Sequence, residues 1–134
     1  MAEFRHRGKR VPISETLGAE LLEHAEGRAR IRFPVLPQYM NPAGQLQGGM
    51  FAVMMDNAMA IAADGIATAT MQFSILRPAT GGHVIASAEV VRAGRNLIYA
   101  EAELHDEVSG KLLARGNQTG LPRNVFGTDE GQPV

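Results

Sequence analysis

The chain has 134 residues, 45% of them hydrophobic and 20% charged, with a formal net charge of -1 and no cysteine. That length fits one domain with a core that needs no staple, and a near-neutral charge supplies no attraction toward nucleic acid. Without cysteine there is no disulfide, no thiolate catalysis and no Cys-ligated zinc, and the cytoplasm is the default compartment.

The first ten residues, MAEFRHRGKR, are basic, but Val11, Pro12 and Ile13 lead into Ser14 and Glu15 with no apolar stretch behind them. They read as a solvated, flexible arm over residues 1–10 and not as a signal peptide. The folded domain is expected over residues 11–121. Residues 28–35 alternate Ala29, Ile31, Phe33 and Val35 against Arg28, Arg30, Arg32 and Pro34, the period-2 pattern of a half-buried strand. Residues 20–25 can pair with it through a turn at Glu26-Gly27, and Pro34 suggests that the strand ends at an edge. Residues 36–46 carry Pro37, Asn41, Pro42 and Gly44 and form a loop.

Residues 50–63, MFAVMMDNAMAIAA, come next, and Asp56 and Asn57 are their only polar side chains. Such a run fits a helix buried on nearly every side, too short and too interrupted to span a membrane. After the Asp64-Gly65 break, residues 68–76 set Ala69, Met71, Phe73 and Ile75 on one face and Thr68, Thr70, Gln72 and Ser74 on the other. Strands over 84–92, 96–106 and 111–119 follow, with turns at Gly94 and at Val108-Ser109-Gly110, and residues 122–134 form a flexible tail. In outline this is two strands, one long apolar helix and three consecutive antiparallel strands: an α+β fold with the helix against a curved sheet. One sheet covers one side of a helix, so the other side is expected to meet a second copy of the chain.

The candidate chemistry sits on the helix. An ionised Asp56 in apolar surroundings is costly unless it is paired, solvated or used. Gln47-Gly48-Gly49 stands just before, and glycines there leave the first helical N–H groups open, with about half a positive charge from the helix dipole behind them. Gly49 and Asp56 share a face but are separated by about 10 Å of helical rise. If both act on one small reacting group, Asp56 must come from the facing helix of another subunit. His6, His24, His83 and His105 are scattered over the arm and strand positions with no H-x3-H or H-E-x2-H spacing, and no metal site is expected. Serine-hydrolase, P-loop and Rossmann motifs are absent too. Met50, Met54, Met55 and Met59 read as core filler.

Asn41-x2-Gly44-x2-Gln47-Gly48-Gly49-x6-Asp56 resembles the N-x2-G-x2-H-G-G-x6-D pattern of hot-dog-fold acyl-CoA thioesterases of the PaaI-like, phenylacetate-pathway group. The likeness extends from Thr16-Leu17-Gly18 to Gly116. It implies a sheet wrapped around the central helix and homodimers, often paired into homotetramers, with active sites shared between subunits. It also implies an acyl-CoA substrate, hydrolysed without metal or cofactor. By position, Asp56 would be nucleophile or general base, Gly48 and Gly49 would polarise the thioester carbonyl, Asn41 would orient carbonyl or water, and Thr68 would hold the attacking water. Gln47 departs from the usual His: it can donate a hydrogen bond but carries no proton at neutral pH. Phe51 and the methionines suggest an apolar acyl pocket, open to fatty, phenylacetyl and aromatic groups alike. Arg77 and Arg95 are the substrate-binding candidates for CoA phosphates, with Arg92 and Arg115 behind them. The alternatives are a non-catalytic acyl-CoA-binding hot-dog protein, a hydratase or dehydratase lacking its His base, and a purely structural oligomer.

Overall fold

The alternation along residues 28–34 is carried into space: Ala29, Ile31 and Phe33 are buried while Arg28 and Arg30 are exposed. The computed structural model describes residues 2–124. Its elements are β1 (Arg5–His6), β2 (Lys9–Arg10), α1 (Pro12–Thr16), β3 (Glu20–Ala25), β4 (Arg28–Pro34), a 3-10 turn at Pro37–Tyr39, α2 (Gly48–Ala63), β5 (Ile66–Ile75), β6 (His83–Ala93), β7 (Ile98–Asp106) and β8 (Leu112–Pro122). Strands β3 to β8 make one antiparallel sheet in the order β3-β4-β6-β7-β8-β5. Four strands follow the helix, at the four segments read from the sequence, although the outline tallied three. β6, β7 and β8 form the consecutive meander, and β5 crosses to pair with β8 at the far edge.

Helix α2 starts two residues ahead of its apolar run and packs mainly on β4, β6 and β7. Phe51, Met54, Met55, Ala58, Met59, Ile61 and Ala62 are buried there, at the centre of the single core cluster among the described residues. The helix is not covered all round. Gly49 is exposed and Val53, Asp56, Ala60 and Ala63 are half-buried. Their alternating spacings of four and three residues put them on one face. Strand β5 repeats this on the sheet: both faces are open beyond its first residues, with Phe73 39% and Ile75 44% exposed. Its alternation is real, but within one chain only Met71 of its apolar side packs on the core, and Phe73 and Ile75 stay exposed. No helix among the described residues is long and apolar enough to cross a membrane.

The arm expected to be solvated and flexible over residues 1–10 departs most from the sequence reading. β1 and β2 form a small hairpin, and Phe4 beside it is buried. The Phe4 N–H donates to the Glu15 carboxylate at 2.9 Å, and the Arg10 guanidinium reaches the same carboxylate at 2.7 Å. Arg10 first, then the Phe4 N–H, holds the Glu15 carboxyl down at about 2. A segment of mostly charged residues is anchored by one aromatic ring and one ion pair, which composition averages away. Below it, the Asn57 Nδ2 donates to Ser14 Oγ at 2.8 Å, so Asn57 fastens α1 to α2 within one chain. The expected tail over 122–134 begins at the last residue of β8, and residues 125–134 lie outside the described residues.

Gly120 on β8 pairs with Thr68 on β5, and a Cβ there would stand 2.4 Å from the Ala67 carbonyl oxygen and 2.6 Å from Ile66 Cγ1. Gly120→Ala must therefore displace backbone, at a cost of about 1–3 kcal/mol. Thermal unfolding should show a midpoint lowered by several degrees; an unchanged midpoint would mean that β5 is not held as described.

Candidate active site

The loop before α2 is built to present the helix start. The Gln47 N–H donates to the Tyr39 carbonyl at 2.9 Å and the Leu46 N–H to the Ala79 carbonyl at 2.8 Å. Asn41 Oδ1 accepts the N–H groups of Ala43 and Gln45 at 2.9 and 3.1 Å, an Asx-type turn that leaves the amide Nδ2 as the end able to donate. Gln47 is the N-cap residue, but no side chain caps the helix. Neither Gly48 nor Gly49 has a positive φ. A Cβ at Gly48 would meet only Ile75 Cδ1 at 3.5 Å, and one at Gly49 would meet nothing within 4 Å. Neither turn geometry nor packing within the chain requires glycine here. What the glycines provide is open backbone at the positive end of a 16-residue helix.

A cleft of about 370 Å³ opens at this point, lined by Asn41, Gly48, Phe51, Ile75, Leu76 and Arg77 among others. Four sequence candidates, Asn41, Gly48, Phe51 and Arg77, thus share one wall. Arg77 is tied down by a bond from Nη1 to the Leu112 carbonyl at 2.9 Å. Arg95 is not brought here; it is exposed on the β6–β7 turn. A larger concavity of about 570 Å³ lies on the outer sheet face among Glu23, Arg30, Glu101 and Arg115, and contains none of the helix-start residues.

Asp56 stands two helical turns farther along, on the uncovered stripe. Burial pushes its carboxyl up from the ordinary value, and hydrogen bonding to Thr68 and then Gln118 pulls against that. Thr68 Oγ1 donates to Asp56 Oδ1 at 3.3 Å, so the two residues that the sequence separates by a break are neighbours. Gln118 was not among the sequence candidates. It lies on β8, is fully buried, and its amide faces Asp56 without reaching a well-aligned bond; neither polar atom has another partner among the described residues. A polar residue at an inward position between buried Ala114 and Gly120 was the available signal.

Residues 36–119 match the family model for the acyl-CoA thioesterase N-terminal domain. The chain belongs to the acyl-CoA thioesterase family. Human acyl-coenzyme A thioesterase 13 is 28% identical over 107 residues, covering 74% of this chain and 76% of that protein. A 1,4-dihydroxy-2-naphthoyl-CoA hydrolase of Listeria monocytogenes is 30% identical over 108 residues, covering 75% and 87%. Among solved structures, a putative thioesterase from Ralstonia eutropha, described as phenylacetic acid degradation-related, aligns with TM-score 0.77 at 28% identity over 82% of this chain and 89% of that one. A mutant of the phenylacetic acid degradation protein PaaI from Thermus thermophilus aligns with TM-score 0.78 at 27% identity, covering 84% and 99%. The six-stranded sheet around one long helix is the hot-dog fold of this thioesterase superfamily.

The raised carboxyl of Asp56 carries a stability consequence for this thioesterase. A carboxyl raised in the folded state imposes no cost when both states are protonated, and its full cost above its folded pKa. Asp56→Asn removes that cost. Its thermal midpoint should equal or exceed that of the wild type at neutral pH, and the difference should shrink as pH falls below the carboxylate range. A midpoint well below wild type at pH 7 would mean that the carboxylate is held favourably and not desolvated.

Proposed function

We propose that the protein hydrolyses the thioester of a fatty or aromatic acyl-CoA to a carboxylate and free CoA, without metal or bound cofactor, in a homo-oligomer with shared active sites. The observation that carries this reading is Asp56: a desolvated carboxylate on an uncovered helix face, beside the Thr68 hydroxyl, in a chain whose helix begins with uncapped glycines. The aromatic acyl class is supported by the name of the Listeria relative. Asp56 accepts a proton from water as it adds to the carbonyl carbon, or attacks that carbon itself. The carbonyl oxygen becomes an oxyanion facing the N–H groups at Gly48 and Gly49, with Gln47 and the Asn41 Nδ2 as further donors. In the general-base route, collapse breaks the C–S bond and the proton held by Asp56 passes to the CoA thiolate. In the nucleophilic route, collapse expels the thiolate and leaves an acyl–Asp56 anhydride, which water cleaves to the two carboxylates, one of the protons released going to the thiolate. Thr68 holds the water. Arg77 stands at the cleft rim for a CoA phosphate, with Arg95 reaching the same role only from another subunit.

Asp56 is too far along the helix from Gly49 to reach the same carbonyl, so the two halves belong to different chains. The uncovered stripe of α2 and the open apolar side of β5 are the surfaces for that pairing. The rival reading is a non-catalytic acyl-CoA-binding protein, favoured by Gln47 in the family's usual His position. One experiment separates them. On an acyl-CoA panel with thiol release as readout, Asp56→Asn should lose at least ~100-fold in turnover while keeping its fold. Mixing it with a folded Gly49→Pro chain should restore activity through hybrid oligomers. Acyl-CoA binding without thiol release in the wild type would support the binding protein, and well-mixed hybrids with no recovery would defeat the shared site.

Gln118 is a positioning residue in this scheme, its amide favouring ionised Asp56. Gln118→Leu keeps volume and leaves no unpaired amide, so folding should survive. The acid limb of the kcat/KM profile should move to higher pH, with activity at pH 7 lowered about tenfold. An unmoved limb would reduce Gln118 to packing.

A further inference from the structure

Folding gathers three metal-ligating side chains that the sequence scatters. His6 comes from β1, His24 from β3 and Asp64 from the residue that ends α2. His6 Nε2 lies 2.7 Å and His24 Nε2 3.3 Å from the same oxygen, Asp64 Oδ1, and one ligand atom of each residue falls within 4.8 Å of the others. The two imidazoles meet edge to face, with centroids 4.7 Å apart. Zinc holds nitrogen and oxygen at about 2.0–2.2 Å, which sets tetrahedral ligand atoms about 3.3 Å apart. His24 and Asp64 already have that spacing, and His6 needs about half an ångström of retreat.

We propose that His6, His24 and Asp64 form a zinc-type divalent metal site that fastens the N-terminal hairpin to the C-terminal end of α2. Two imidazole nitrogens and one carboxylate oxygen suit zinc, cobalt or nickel, and not magnesium or calcium. His6 is 5% exposed and its Nε2 is held against the Asp64 carboxylate, so this ligand is fixed in place by burial. His24 and Asp64 are 29% and 28% exposed, leaving an entry path and room for a water in the fourth position. Asp64 lies eight residues, about 12 Å of helix, beyond Asp56, too far for a metal held there to touch a carbonyl at Asp56, so the metal is structural and has no part in thioester chemistry.

The test uses the full chain, stripped with a chelator and dialysed, then titrated with zinc chloride alone. Saturating zinc should raise the thermal midpoint by about 5 °C or more, and cobalt in its place should give the visible absorption of a low-coordinate nitrogen and oxygen site. His24→Gln, at a half-exposed position, should abolish both. Zinc-dependent shifts of the His6 and His24 imidazole resonances in the wild type provide a readout that needs no variant. No midpoint shift with unmoved imidazole resonances, or a shift that survives in His24→Gln, would overturn the site in favour of a hydrogen-bonded clamp with adventitious zinc elsewhere.

Discussion

A single curved sheet cannot enclose a helix that is apolar on most of its circumference, and this mismatch governs the rest of the molecule. α2 buries its Met-rich side on β4, β6 and β7, and the stripe from Gly49 through Val53, Asp56, Ala60 and Ala63 is left over. A monomer leaves that stripe wet, together with the apolar side of edge strand β5. The helix start with its uncapped glycines and the acid seven residues later both open onto the same side. The surface left open for a partner is therefore the surface on which the proposed chemistry sits.

Asp56 shows how such a position is tolerated. Burial disfavours its charge, and two weak donors answer it, the Thr68 hydroxyl and the Gln118 amide, with no cation among the described residues. A guanidinium partner would hold the carboxylate low and make it a poor base; the neutral donors only partly offset burial, which leaves the carboxyl above its ordinary value. This matters more here because Gln47 cannot carry a proton. In the proposed mechanism the proton transfer rests on one carboxylate, whose two neighbours come from β5 and β8.

Much of this was legible in the sequence where information is local. Period-2 alternation located the β3–β4 hairpin and β5, and the spacing from Asn41 to Asp56 brought the family resemblance because both ends lie on one loop and one helix. What failed was non-local. No residue in β5 declares that the strand crosses the sheet to join β8, so the contact between Gln118 and Asp56 could not be foreseen, although the inward position of Gln118 could. The arm misled because charge dominates its composition, and one Phe and one Glu–Arg pair decide its structure. His6 joins His24 and Asp64 only because the arm folds back, which no motif spacing encodes.

If the two halves of the site lie on different chains, assembly and ionisation are linked. Closing a second helix over the uncovered stripe removes more water from Asp56, and a carboxylate desolvated further is protonated at higher pH. By linkage, the same contact is weakened by whatever favours the anion. The open glycine end supplies a compensating term, since the partner's uncapped N–H groups and helix dipole bring positive potential to the shared face. Glycine at positions 48 and 49 then has a reason that neither its φ nor its neighbours within the chain provide: it lets the facing chain, with its substrate, approach the backbone closely.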